Sequence, residues 1–276
     1  IEVVTGVSAA EMKTAAKGTI QDGALIYELD GKTYRTPIRT LRGDYRDSDG
    51  NTQNRLRSWQ KTDFKPATDD IFQERLYVIQ WITKETLDQS RKETFFASVT
   101  DEDLQREQQV EEMVEENQSH WQTEGLVPDM VIEPADKTDE PIRTRGSPYW
   151  HHLFNARQLL LFCLYKKCSN IVSDENIKSA ILAVQSKSIE WNTRLCRWAT
   201  STRHENQVNT FSNQALNTLY NFGVRALPNL ENHSIISFGE SGFPVYAEAE
   251  IYSRPADNVS GRSDIYITDP PYADAV

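Results

Sequence analysis

Asp269-Pro270-Pro271-Tyr272, near the end of the 276 residues, is the segment whose residue types and spacing point most directly to chemistry. Two consecutive prolines remove two backbone donors and fix two φ angles, and the residue before each is pushed to an extended conformation. The segment therefore reads as a stiff loop with free carbonyls, a carboxylate before them and an aromatic ring after them. That set suits an exocyclic amine. The Asp269 carboxylate and the Pro270 carbonyl can each accept one N–H of an –NH₂ group, which holds the nitrogen and turns its lone pair toward an electrophile. The Tyr272 ring offers a flat face for a base swung out of a helix. The plain alternative is a Pro-Pro turn after an edge strand, with an incidental Asp and Tyr.

A loop of this kind must be carried by a strand, since ligands in open α/β sheets bind beyond the carboxyl ends of strands. Asp264-Ile-Tyr-Ile-Thr268 has the required pattern, and Ser234-Ile-Ile-Ser-Phe238 and Val245 to Tyr252 read as further strands. Before them the period is helical. A helix over 213–222 is predicted to end at Gly223, with Pro228 beyond it. Ser173 caps a predicted helix through Ile177, Ile181 and Val184 toward Trp191. Asn155 with Gln158 reads as a capping box ahead of the apolar run Leu159 to Tyr165. Thr100 with Asp103 caps an acidic helix over 101–118, which reads as a solvated surface element. Residues 69–88 read as a mostly buried helix, with Asp69 and Asp70 at its start and Ile71, Phe72, Leu76, Ile79 and Ile82 on one face. Residues 124–148 hold four prolines and no periodicity, which predicts a linker or an extended crossing. Residues 18–46 read as β-hairpin material, with Asp30-Gly31 as the tight turn between Ala24–Leu29 and Lys32–Thr36, and 43–54 as a loop.

The net charge of −11 argues against a chain dedicated throughout to nucleic acid, yet the charge is segregated. Residues 101–140 carry 14 acidic and 2 basic side chains, whereas 141–225 carry 11 basic and 4 acidic ones. The basic stretch includes Arg143, Arg145, Arg157, Lys166, Lys167, Arg194, Arg197 and Arg203, interleaved with Trp150, Trp191 and Trp198. Backbone phosphates are natural partners for such a set, and helix-surface charge around core tryptophans is the other reading. The five histidines lack ligand spacing, so no metal is expected. Neither a Gly-x-Ser-x-Gly elbow nor a Walker loop occurs, which leaves hydrolase and nucleotide-triphosphatase readings without an anchor. Phe238-Gly-Glu-Ser-Gly242 reads as a turn.

Three cysteines with no Cys-x-x-Cys pair fit a reducing, cytoplasmic setting. The longest apolar run is too short to span a membrane. The N-terminal Ile-Glu-Val-Val has no signal-peptide pattern and no initiator Met, so the chain is expected to be a piece of a longer protein.

Asp-Pro-Pro-Tyr after an apolar strand resembles motif IV of the amino-methylating DNA methyltransferases. Glu74-Arg-Leu-Tyr-Val-Ile-Gln80, Leu153-Phe-Asn-Ala-Arg-Gln-Leu-Leu160, Leu195-Cys-Arg-Trp198 and Phe211-Ser-Asn-Gln-Ala-Leu216 precede it in that order. Together they are similar to the DUF1156-type adenine-specific DNA methylases of prokaryotes, over residues 70–276. The resemblance implies transfer of a methyl group from S-adenosylmethionine to adenine N6 of double-stranded DNA, with no covalent enzyme intermediate and no metal. Asp269 and Pro270 would orient the amine, Pro271 would stiffen the loop and Tyr272 would stack on the base. It also directs the DNA-contact expectation to Arg157, Gln158, Arg194, Arg197 and Arg203. The implied fold is α/β: a fragment of a Rossmann-like methyltransferase sheet with a large, mostly helical insertion and a small β-hairpin near the N-terminus. The expected units are 1–66, a hairpin and loop insertion; 67–230, a helical target-recognition region; and 231–276, strands of the catalytic core. The family's Gly-rich donor loop and Cys-rich ribbon have no counterpart in the sequence, so the donor loop is expected outside this chain. The competing expectation is a catalytically silent recognition or assembly module, working with partner subunits of a bacterial modification or phage-defence system.

Overall fold

A computed structural model describes residues 8–15, 20–41, 43–70, 72–135, 138–200, 205–210, 222–227, 252, 255–259, 261 and 264–267. A short helix, α1 (Ala9–Ala15), precedes three antiparallel strands, β1 (Ile20–Gln21), β2 (Ala24–Leu29) and β3 (Lys32–Pro37). The β2–β3 hairpin turns where expected. Asp30 and Gly31 adopt φ of 51° and 71°, the pair of positive values that a two-residue hairpin turn requires. A single helical turn, α2 (Ile38–Leu41), leads to a second hairpin, β4 (Asp44–Arg46) and β5 (Thr52–Asn54). The expected loop over 43–54 is therefore a hairpin. Its connection is ordered by the Asp47 carboxylate, which accepts from the backbone N–H groups of Asp49 and Asn51.

The helix expected over 69–88 does not form. Instead β6 (Val78–Ile82) pairs antiparallel with β7 (Thr94–Ser98), and the described residues among 69–77 have no regular structure. The physical reason lies in composition. Val78, Ile79, Trp81 and Ile82 are β-branched or aromatic, and a run apolar on all sides gives periodicity nothing to discriminate. The apolar partner stretch Thr94-Phe-Phe-Ala-Ser98 then decides the matter by pairing.

The helical part forms around the expected caps. α3 (Asp101–Thr123) starts from a reciprocal capping box between Thr100 and Asp103 and runs past the expected end at 118. The crossing after it is no linker. Leu126, Val127 and Ile132 are buried in the core, and α4 (Asp139–Arg145) interrupts it before ending at Gly146. α5 (Ala156–Asn170) starts from the predicted box between Asn155 and Gln158. α6 (Glu175–Glu190) is capped by Asp174 rather than Ser173, through the N–H groups of Asn176 and Ile177. A last antiparallel pair, β8 (Trp198–Thr200) and β9 (Glu205–Gln207), follows.

The core lies where α5 packs against α3 and the crossing: Val114, Trp121, Leu126, Val127, Ile132, Leu159, Phe162 and Cys163, joined by Phe64 from the N-terminal segment. The described chain is thus mixed α/β, with small sheets whose strand pairs are all antiparallel.

The predicted strand over 264–268 is not found among its described residues. Ile265, Tyr266 and Ile267 belong to no sheet and Ile267 is 92% exposed, so among the described residues no neighbouring strand or core element holds this stretch extended. The predicted strands over 234–238 and 245–252 and the predicted helix over 213–222 lie almost wholly outside the described residues, as does the 238–242 turn.

Candidate functional site

Arg194 lies at one wall of a concavity among the described residues. Its Nε and Nη2 donate to the two Glu74 oxygens at 2.5 and 3.1 Å, Nη1 donates to the His152 carbonyl at 2.6 Å, and Nη2 also reaches the Phe64 carbonyl at 2.7 Å. The guanidinium lies 5.3 Å from the Trp59 ring centre, within cation–π range. With only 11% of its side chain exposed, Arg194 fastens three segments distant in sequence. Beside it Arg57 forms a fork with Asp70 at 2.9 and 2.8 Å, and a further pair with Asp63. The pairing with Arg57 holds the Asp70 carboxyl below its ordinary value, helped by the Ala67 N–H, and the two carboxylates raise Arg57 further.

These clamps wall a cavity of about 380 Å³, within the range of small-ligand sites. Trp59 and Phe72 supply aromatic wall, Leu56, Pro66, Leu153 and Leu195 supply aliphatic wall, and Arg55, Asp69 and Gln73 reach it from exposed positions. Arg145 sits 4.7 Å from the Phe72 ring centre. The wall near Trp59 depends on Gly146, whose φ is 68° and whose carbonyl accepts from Trp59 N–H at 2.7 Å. A Cβ there would stand 2.1 Å from the Arg57 carbonyl oxygen, so only glycine allows this approach.

Behind the cavity lies the adjacent pair His151-His152, on a 3₁₀ turn (Trp150–Leu153) with ring centres 4.3 Å apart. Burial pushes His151 down to about 4, although the Lys61 and Asp63 carbonyls pull the other way. Burial and the neighbouring His151 push His152 down to about 3. His152 Nε2 lies 3.0 Å from the Gln60 carbonyl, which assigns the proton of the neutral ring to that nitrogen. The two rings are thus neutral packing units with Tyr149 and Trp59 rather than a free acid–base pair.

Of the residues singled out in sequence, Arg194 lies in this clamp. Gln158 is fully buried, its amide nitrogen donating to Asn192 Oδ1 at 3.1 Å and its oxygen closing the α5 cap. Arg157 pairs with Glu107 of α3. Arg197 is half-buried, and its Nε is sealed without a hydrogen-bond partner. The donors of Gln158 and Arg194 are therefore already committed within the fold. Arg203 and Asp269, Pro270, Pro271 and Tyr272 lie outside the described residues. Sequence reasoning missed Arg57, Trp59, Asp70 and Phe72. The alternation Arg55-Leu-Arg-Ser-Trp59, cations interleaved with an aromatic, was the signal available.

Glu74, Leu153 and Leu195 each open one of the segments on which the family resemblance rests, and all three line this cavity. The commitment of Arg57 and Arg194 to internal partners, together with the apolar walls, suits a flat, mostly apolar group held by a few rim contacts, rather than a bare anion. Among the described residues no three His, Cys, Asp or Glu side chains gather as metal ligands, and no helix is long and apolar enough to cross a membrane. Comparison with protein-family models, with curated proteins and with solved structures finds no match to this chain.

Proposed function

We propose that the chain is part of an adenine-specific DNA methyltransferase with a Rossmann-like catalytic sheet, using S-adenosylmethionine as methyl donor. The observation that carries the reading is Asp269-Pro-Pro-Tyr272 standing after three segments, opened by Glu74, Leu153 and Leu195, that each reach one cavity. Segments distant in sequence that converge in space behave as one unit, which supports treating their ordered likeness as a single resemblance.

In this reading the Asp269 carboxylate and the Pro270 carbonyl accept the two N–H groups of adenine N6. That alignment exposes the nitrogen lone pair to the donor methyl, the chemistry S-adenosylmethionine supplies when bound. Pro271 keeps the loop from relaxing, and Tyr272 stacks on the base. No Gly-rich strand–loop–helix turn occurs among the described residues, so the donor is proposed to be held by other residues.

The test is methylation of double-stranded DNA by the full-length gene product with a labelled methyl donor. Asp269→Ala is expected to lower methyl transfer by at least a hundredfold and leave DNA affinity within about twofold, as loss of an interaction made at the reacting centre does. Normal transfer by that variant overturns the role of Asp269. A wild-type protein that binds DNA and transfers nothing favours the silent recognition module.

A further inference from the structure

The N-terminal β unit carries a surface that the methyl-transfer reading leaves unused. By register, Ile20, Leu25, Tyr27, Leu29, Lys32, Tyr34 and Thr36 share one face of the β1–β2–β3 sheet. Tyr27 and Tyr34 are direct cross-strand partners, stacked with ring centres 5.3 Å apart and planes 15° apart. They are 39% and 40% exposed, so the stack is open to a third ring. The surroundings are cationic in a chain whose total charge is negative: residues 32–57 hold 7 basic and 3 acidic side chains. Lys32, Arg39 of α2 and Arg46 of β4 are exposed and pair with no carboxylate among the described residues, and α2 packs against both β3 and β4. Two of the local acids have partners of their own. Asp44 and Asp47 are engaged with Asn54, Gln53 and loop N–H groups, and Glu28 lies on the opposite face of the sheet. Asp22 and Asp30 sit in the turns at the two ends.

We propose that this face binds single-stranded DNA, with bases extending the Tyr27–Tyr34 stack and phosphates meeting Lys32, Arg39 and Arg46. Stacking on an exposed phenol needs a base already out of a duplex, so a single strand fits this stack where a paired duplex does not. Aromatic stacking flanked by unpaired cations is the pairing that a phosphate backbone with exposed bases complements; an apolar protein partner would leave those cations unmatched. The choice of DNA over RNA rests on the methyltransferase reading, but the residues proposed here are distinct in sequence from Asp269–Tyr272 and from 141–203.

Fluorescence anisotropy of the chain with a labelled 15-nucleotide single strand, the same sequence as duplex and the same sequence as RNA, tests this without any methylation step. Its failure therefore leaves the Asp269 test untouched. The single DNA strand is expected to bind at least tenfold more tightly than the other two. Tyr27→Ala and Tyr34→Ala should each weaken it roughly tenfold, whereas Tyr27→Phe, which keeps the ring, should stay near wild type. Neutralising Lys32, Arg39 and Arg46 to Gln should lower the slope of log affinity against log salt by about 2. Equal binding of duplex, preference for RNA, or alanine variants that bind as well as wild type overturn the proposal. So does a change of sedimenting mass in the alanine variants without loss of DNA affinity, which marks the face as a contact between copies.

Discussion

Arg194 shows how the same residue type reads differently once its neighbours are known. As one cation in a basic stretch it looked ready for phosphate; in the fold its donors reach Glu74, the His152 carbonyl and the Phe64 carbonyl. Removing a nearly buried guanidinium leaves those acceptors without a donor, which costs more than the pair itself contributes. Arg194→Met is expected to destabilise the chain by about 2–4 kcal/mol, read as a lower urea midpoint, with no change in the salt dependence of DNA binding. An unchanged midpoint would show that the clamp is ornamental. Gln158 teaches the same lesson. Its place beside Arg157 drew attention as a contact residue, while its spacing from Asn155 already marked it as a cap, and the cap is what the structure uses.

At the scale of elements, local signals succeeded where a few neighbouring residues contain the whole interaction. Both capping boxes and the Asp30-Gly31 turn are of this kind. Asn155→Ala is expected to cost about 1 kcal/mol by chemical denaturation, the usual worth of a helix cap. Gly146→Ala should cost more, because a side chain there meets both a left-handed backbone and the Arg57 carbonyl. The ranking of the two variants is the measurement that matters; equal losses would mean that residues 57–59 yield freely. The 69–88 segment failed for the complementary reason. Its apolar run fits a helix or a strand equally well, and the choice was made by Thr94–Ser98, which no window centred on the run contains.

For the whole molecule, the buried histidines couple stability to acidity. Both stay neutral in the folded chain, at about 4 and 3, against about 6.5 when unfolded. Well above pH 6.5 neither state binds the proton and stability is unaffected. As pH falls from about 6.5 toward 4 the unfolded chain takes up protons that the folded chain refuses, so stability drops, by up to about 1.4 kcal/mol per pH unit for each ring. Asp70 and Asp103, held below their ordinary values, add their own loss only below about pH 4. Urea midpoints between pH 7 and 4.5 should show the slope, and His152→Leu should roughly halve it; a flat profile would mean that the pair is hydrated. From sequence alone came the chemistry of the Asp-Pro-Pro-Tyr loop as an expectation, the charge segregation, the first hairpin and the two capping boxes at Thr100 and Asn155, because each is written in residues a few positions apart. Only tertiary structure decided that 78–82 is a strand, that 124–148 threads the core, and that Arg57, Trp59, Asp70, Glu74, Leu153 and Arg194 surround one cavity. Those outcomes are set by burial and pairing between residues up to 120 or more positions apart, and a linear pattern does not encode which distant partner will satisfy a given donor or cover a given face.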